Sequence, residues 1–255
     1  MRRPTATWRP PTRFTTVRRA VFALALLLGC GPSVSTASPT PTSTEAPTPS
    51  PTPSASPSPS PAALPAGWTS VSKTTANGPV TFGLPPTWRT LDLDQNTLAS
   101  SYERLAASNP DFAKAISLEQ MKNLSASGLF VYAFDFDPAN MKSGFATNMN
   151  GLTQATKTTV SVDVLAQVTT AQIEVQLGAK TLSTGKLKMG GLDASRSAFE
   201  YTLARPDGGK VALALEQYYV IANGYPHVLS FTTARDLYDT YKTTFEQIAT
   251  TYRVG

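Results

Sequence analysis

Cysteine and histidine are almost missing from this chain of 255 residues, which has one of each, Cys30 and His227. A single cysteine leaves no disulfide to hold a fold together and no thiolate metal site. A single histidine means that any Ser-His-Asp arrangement would rest on His227 alone. There is no Gly-x-Ser-x-Gly elbow, no phosphate-cradling glycine loop and no other motif that calls for a cofactor. Long apolar runs are missing as well. The longest, Ala20 to Leu28, has about nine residues where a membrane-spanning helix needs roughly twenty.

What stands around that run is informative. Arg2, Arg3, Arg9, Arg13, Arg18 and Arg19 precede it without an acid among them, and Leu27-Leu28-Gly29-Cys30 ends it. A basic region, a short apolar run and a small residue before cysteine is the order of a bacterial lipoprotein signal. Residues 1–29 read as that signal, with cleavage between Gly29 and Cys30. The resemblance to bacterial lipoproteins implies that the Cys30 thiol takes a diacylglycerol and that cleavage leaves Cys30 as the lipidated N-terminus. Leu28 is bulkier than usual there, and the surroundings of Arg18-Arg19 fit a twin-arginine export motif poorly. The expected location is the outer, extracytoplasmic side of the cell membrane, held through the lipid.

Residues 30–66 read as the lipidated cysteine followed by a linker. Positions 31–66 contain eleven prolines among Ser, Thr and Ala, and Glu45 is their only charge. Such a stretch cannot bury enough apolar surface to offset its ordering entropy. Extended as polyproline II at roughly 3.1 Å per residue, it would reach about 100 Å, the scale of a spacer through an envelope layer.

The net charge of +5 disappears once it is located. Six of the 22 basic residues lie in the signal and one of the 17 acids, Glu45, lies in the linker, so the region from Gly67 onward carries 16 of each. No basic footprint remains for nucleic acid.

Residues 67–255, about 190 in all, suffice for one core. The pattern is α+β, a mostly antiparallel sheet covered by helices. Residues 80–83 and 88–91 read as short strands around the turn Leu84-Pro85-Pro86-Thr87. Asn96 or Thr97 caps a helix through Leu98, Tyr102 and Leu105, and Asn109-Pro110 restarts one carrying Phe112, Ile116 and Met121. Strands follow over 129–136 and about 145–153. Ser161 opens a helix with Val162, Leu165, Val168, Ile173 and Leu177 at helical spacing, and Gly178 ends it. Strands over 181–189, 194–203 and 210–222 are joined by Gly190-Gly191 and Pro206-Asp207-Gly208-Gly209, and Asn223-Gly224 turns the chain into a strand over 225–233. Val211, Leu213, Leu215, Tyr219 and Ile221 share one strand face. A last helix carries Leu237, Tyr238, Tyr241, Phe245, Ile248 and Tyr252 as one stripe against the sheet.

Phe82-Gly-Leu-Pro-Pro-Thr-Trp88, together with Leu229-Ser-Phe-Thr-Thr, Tyr238, Tyr241, Phe245, Ile248 and Arg253-Val254, resembles the PsbP/Mog-type α-β-α sandwich. Lipid-anchored envelope lipoproteins of the LpqN-like class share that fold. The resemblance covers most of residues 68–254 and rests on core and turn residues, while the helical stretch 95–124 departs from it. It implies a binding or assembly factor rather than an enzyme.

The candidate sites are few. Tyr218, Tyr219 and Tyr225 gather around one hairpin, and aromatics with a polar tip suit a recognition surface for a lipid-like ligand or a partner protein of the envelope. His227, in a strand with Tyr225, Leu229 and Phe231, reads as a half-buried structural residue. Asp135 and Asp137 flank Phe136 on one strand face, roughly 7 Å apart, a spacing compatible with glycan hydrolysis by paired carboxylates. With Asn140 they also offer the oxygen donors of a weak calcium site.

Overall fold

The structure, a computed structural model, describes residues 64–94, 96–108, 117–126, 128–138, 140, 145–204 and 208–255. The signal with Gly29, the lipidation candidate Cys30, the linker up to Ala63, the helix restart at Asn109-Pro110 with Phe112 and Ile116, and the Pro206-Asp207 turn lie outside the described residues. Among the described residues no helix is long and apolar enough to cross a membrane.

The elements in chain order are β1 (Thr69–Thr75), β2 (Gly78–Leu84), β3 (Trp88–Leu91), α1 (Leu98–Ser108), α2 (Leu118–Ala126), β4 (Leu129–Asp135) and β5 (Asn148–Thr153). There follow α3 (Val162–Leu177), β6 (Lys180–Met189), β7 (Leu192–Ala204), β8 (Lys210–Ala222), β9 (Tyr225–Ala234), α4 (Tyr238–Thr251) and β10 (Arg253–Val254). Seven strands form an antiparallel sheet in the order β3-β4-β5-β9-β8-β7-β6, and β1-β2-β10 form a small second sheet. The architecture is therefore α+β with a mostly antiparallel sheet under helices.

The two strands read around Leu84-Pro85-Pro86-Thr87 belong to different sheets. β2 pairs with β1 and β10, whereas β3 pairs with β4. The prolines carry the chain from one sheet to the other and do not close a hairpin. β1 has no apolar run of its own and its side chains are mostly exposed, so it left no signal in the sequence.

The β8–β9 hairpin turns as its sequence demands, with Asn223 at φ 54° and Gly224 at φ 85°, both positive as a type I′ turn requires. Gly151 in β5 answers a different need. A Cβ there would come within 2.4 Å of the Phe130 ring, so only glycine lets that ring lie across the strand.

One face of the large sheet packs on α4 and the small sheet. Tyr218, Leu229, Phe231, Tyr241, Phe245, Ile248, Tyr252, Phe82 and Phe130 fill the space between them. Phe231 and Phe245 stack at 4.8 Å between centroids and Tyr241 stacks on Phe245 at 5.5 Å, while Tyr218 meets Phe231 edge-on at 5.7 Å. The opposite face carries α1 and α2 at the β3–β4 end, with Leu91, Leu98, Met121 and Phe134 buried together. At the other end it carries α3, where Ile173 packs on Phe199 and Leu215.

Both faces of β8 are thus buried, and strict alternation in its sequence identified only one of them. Leu215 and Tyr219, read as sharing one face, pack on the α3 side. Ala214, Tyr218 and Val220 line the α4 core on the other side.

Candidate functional site

Tyr218 and Tyr219 do not form a surface. Both are fully buried, and as consecutive strand residues they point to opposite faces of the sheet. The Tyr218 hydroxyl donates to Glu216 Oε1 at 2.9 Å inside the α4 core. That of Tyr219 donates to Gln217 Oε1 at 2.7 Å on the α3 side, where the Gln217 amide in turn reaches Ser230 at 2.8 Å. Tyr225 alone stays half-buried, with the Lys157 ammonium 5.4 Å from its ring centroid.

The carboxylate pair is also rearranged. β4 ends at Asp135, so Asp137 lies beyond the strand and the two do not share a strand face. Asp135 is buried and turned inward, taking the Tyr241 hydroxyl of α4 on Oδ2. Its Oδ1 accepts the Asp137 backbone N–H at 3.0 Å, and Asn140 donates its amide to Oδ2 at 3.4 Å. Both oxygens of Asp135 are committed to closing this strand end, and Asn140 presents a donor where a cation would need an oxygen. Among the described residues no group of three His, Cys, Asp or Glu is placed to hold a metal.

His227 is more enclosed than its strand position suggested, at 1% exposure. Its Nδ1 shares a hydrogen bond of 2.9 Å with the Tyr252 hydroxyl, and Nε2 has no partner. Burial pulls its pKa down to about 4, so the ring is neutral at physiological pH.

A buried polar cluster that the sequence reading missed lies under α4. Glu216 is fully buried on the same face of β8 as Tyr218, and Arg196 of β7 approaches its Oε1 at 3.4 Å while reaching Glu246 of α4 at 3.7 Å. Burial raises the Glu216 pKa, and the Tyr218 hydroxyl and the Arg196 charge oppose that shift. Glu216 Oε2 and the Tyr238 hydroxyl influence each other's ionisation without meeting in hydrogen-bond geometry. With its carboxylate out of reach of solvent, this cluster fastens α4 to the sheet. The apolar stripe of α4 was its only advance signal, since that stripe requires β8 to bury its second face.

Among the described residues, three of the five exposed large apolar side chains lie on α3. Ser161 caps it, its hydroxyl accepting the Val164 N–H at 3.3 Å, and Gly178 ends it in the left-handed region at φ 61°. The buried residues are Ala166, Thr169 and Ile173. Val168, read at helical spacing with Val162, Leu165, Ile173 and Leu177, does not share the burial of Ile173 and is 45% exposed, and Val164 and Val175 are 42% and 84% exposed. With exposed Ala171, these valines recur at i, i+4, i+7 and i+11, within about 60° of one another and opposite the buried face. β-Branched residues are poor helix formers, and nothing in helix propensity favours three of them on a solvent face. Helix α3 therefore carries two apolar stripes, one against the sheet and one outward.

No protein-family model matches the chain, and no curated protein matches it. Among solved structures, the fold is similar to cyanobacterial PsbP (CyanoP) from Synechocystis, at 15% identity over 74% of this chain and 94% of that one, with a TM-score of 0.43. It is similar to LpqN, involved in cell envelope biogenesis of Mycobacterium tuberculosis, at 12% identity over 73% and 91% of the two chains, with a TM-score of 0.43. It is also similar to the Ran-binding protein Mog1p of Saccharomyces cerevisiae, at 10% identity over 73% and 95%, with a TM-score of 0.40. At these identities no residue role carries over from any of them.

Proposed function

We propose that the chain is an extracytoplasmic binding protein of the cell envelope. In this reading a lipid on Cys30 and the Pro-rich spacer tether it to the membrane, and a protein partner docks on the outward face of α3. The observation that carries the reading is the second apolar stripe of that helix, Val164, Val168, Ala171 and Val175. A protein is favoured over a lipid-like small molecule because the layer between the sheet and α4 is filled by stacked aromatic side chains. The protein acts by binding, with Asp135 and His227 serving the fold.

Two measurements test this. Metabolic labelling of intact cells with an alkyne fatty acid should mark the wild-type protein and leave Cys30→Ala unmarked, and a wild type that stays unmarked would refute the lipid tether. A photo-crosslinking residue at position 175, in intact cells, should give a discrete protein adduct that is absent with the same residue at exposed Gln247 on α4. Equal labelling at both positions, or none at 175, would refute docking on α3.

A further inference from the structure

The stripe on α3 has a property that narrows its occupant, and the inference rests on the reading of α3 as a docking face. The intervals between Val164, Val168, Ala171 and Val175 are four, three and four residues, a sequence of steps that reads the same in both directions. Two copies of α3 packed face to face and antiparallel about a two-fold axis would therefore bring every member of one stripe onto a member of the other. Val164 would meet Val175 of the second copy, and Val168 would meet Ala171, a large residue against a small one. An isologous contact of this kind is closed, so it ends at a dimer.

Charge points the same way. Beside the N-terminal end of the stripe, Asp163 takes the Lys186 ammonium at 2.6 Å and the Ser195 hydroxyl at 2.7 Å, and the Lys186 side chain is 77% exposed. Beside the C-terminal end, exposed Glu174 accepts the Thr181 hydroxyl at 2.7 Å and has no cation among the described residues. Asp163 and Glu174 lie on the same flank of the helix, the one toward β6 and β7. A two-fold axis across antiparallel helices keeps that flank against itself and reverses it end to end. Glu174 of the second copy then comes beside the Asp163–Lys186 pair, and Lys186 supplies the cation that Glu174 lacks. The operation repeats this at the other end.

We propose that the outward face of α3 is the interface of a symmetric antiparallel homodimer, centred on Val168 and Ala171 and bounded by two Lys186–Glu174 pairs between copies. The stripe is only about 16 Å long. A contact built on one helix lies at the small end of specific interfaces, so the dimer is expected to dissociate on the order of 10–100 µM. Molecules held at one membrane surface would form it more readily than molecules free in solution.

The test is sedimentation velocity of the mature chain, residues 30–255 carrying C30S, from about 5 to about 500 µM, a range bracketing that dissociation constant. A reversible monomer–dimer equilibrium is expected. V175D should weaken it at least about tenfold while the far-ultraviolet circular dichroism stays unchanged. K186E should weaken it about three- to tenfold, and the double variant K186E/E174K should restore it, because the exchanged charges still complement each other across the axis. A chain that stays monomeric at the top concentration, or a dimer indifferent to V175D, overturns the proposal, and so does failure of the double variant to recover. If the chain is monomeric but the position-175 adduct contains a different protein, docking on α3 stands and the second copy is ruled out.

Discussion

Helices α3 and α4 lie on opposite faces of the same sheet, and comparing them shows what an apolar pattern can and cannot specify. In α4, Tyr238, Tyr241, Phe245, Ile248 and Ala249 form one buried stripe, with charged and polar residues such as Lys242, Glu246 and Gln247 outside. One apolar face has one place to go. In α3 valine, leucine, isoleucine and alanine occur nearly all round, and periodicity alone does not say which face meets the sheet. Shape decides. The inward residues Ala166 and Thr169 are small, so the helix sits close to β7 and β8, and Ile173 fills the remaining space against Phe199 and Leu215. The bulkier valines are left outward.

The largest expected effect is at the inner face of α4. Phe245→Ala removes a ring stacked between Phe231 and Tyr241, and is expected to lower the unfolding free energy by about 3–5 kcal/mol in chemical denaturation. A loss below about 1 kcal/mol would show that the α4 layer is not the main core.

Next is the pH dependence of the same side of the sheet. The folded-state pKa of His227 lies at about 4, below its ordinary 6.5, so between those values the unfolded chain binds the extra proton. Stability therefore rises with pH across that window, and His227 costs the fold roughly 3 kcal/mol at pH values below it. Glu216 works in the opposite sense. Its pKa is raised, so its contribution is present at low pH and is lost as pH rises through the folded-state value. The difference in slope between the wild type and His227→Gln, measured by denaturation from pH 4 to 6.5, isolates the histidine. A slope unchanged by the substitution would mean that the ring is not held neutral.

On α3 the expected effects are smaller. Ile173→Val removes one methylene from the inner face and should cost about 1 kcal/mol. Val175→Thr, on the outer face, should change stability by less than about 0.5 kcal/mol, as surface substitutions usually do. If the two losses were equal, the assignment of inner and outer faces would be wrong.

How much of this was legible beforehand depended on whether a local rule had a single solution. The Asn223-Gly224 hairpin, the Ser161 cap, the Gly178 stop and the α4 stripe each had one, and each lies where the residues put it. The binding residues were harder to read. Tyr218 and Tyr219 attracted attention as a pair, although neighbours on a strand cannot share a face. Asp135 and Asp137 were paired by strand alternation, which ceased to apply once the strand ended at Asp135 and its carboxylate capped the turn. Glu216 stayed hidden because a charged residue in an alternating run reads as solvent-facing until a second covering layer is known.

In the proposed dimer the two faces of α3 have different work, the inner one holding the fold and the outer one holding the second copy. The most direct measurement is Val168→Asp followed in parallel by chemical denaturation and by sedimentation velocity. The expected result is an unfolding free energy within about 1 kcal/mol of the wild type and self-association weakened at least about tenfold. Self-association that persists, or a loss of stability above about 2 kcal/mol, would contradict it.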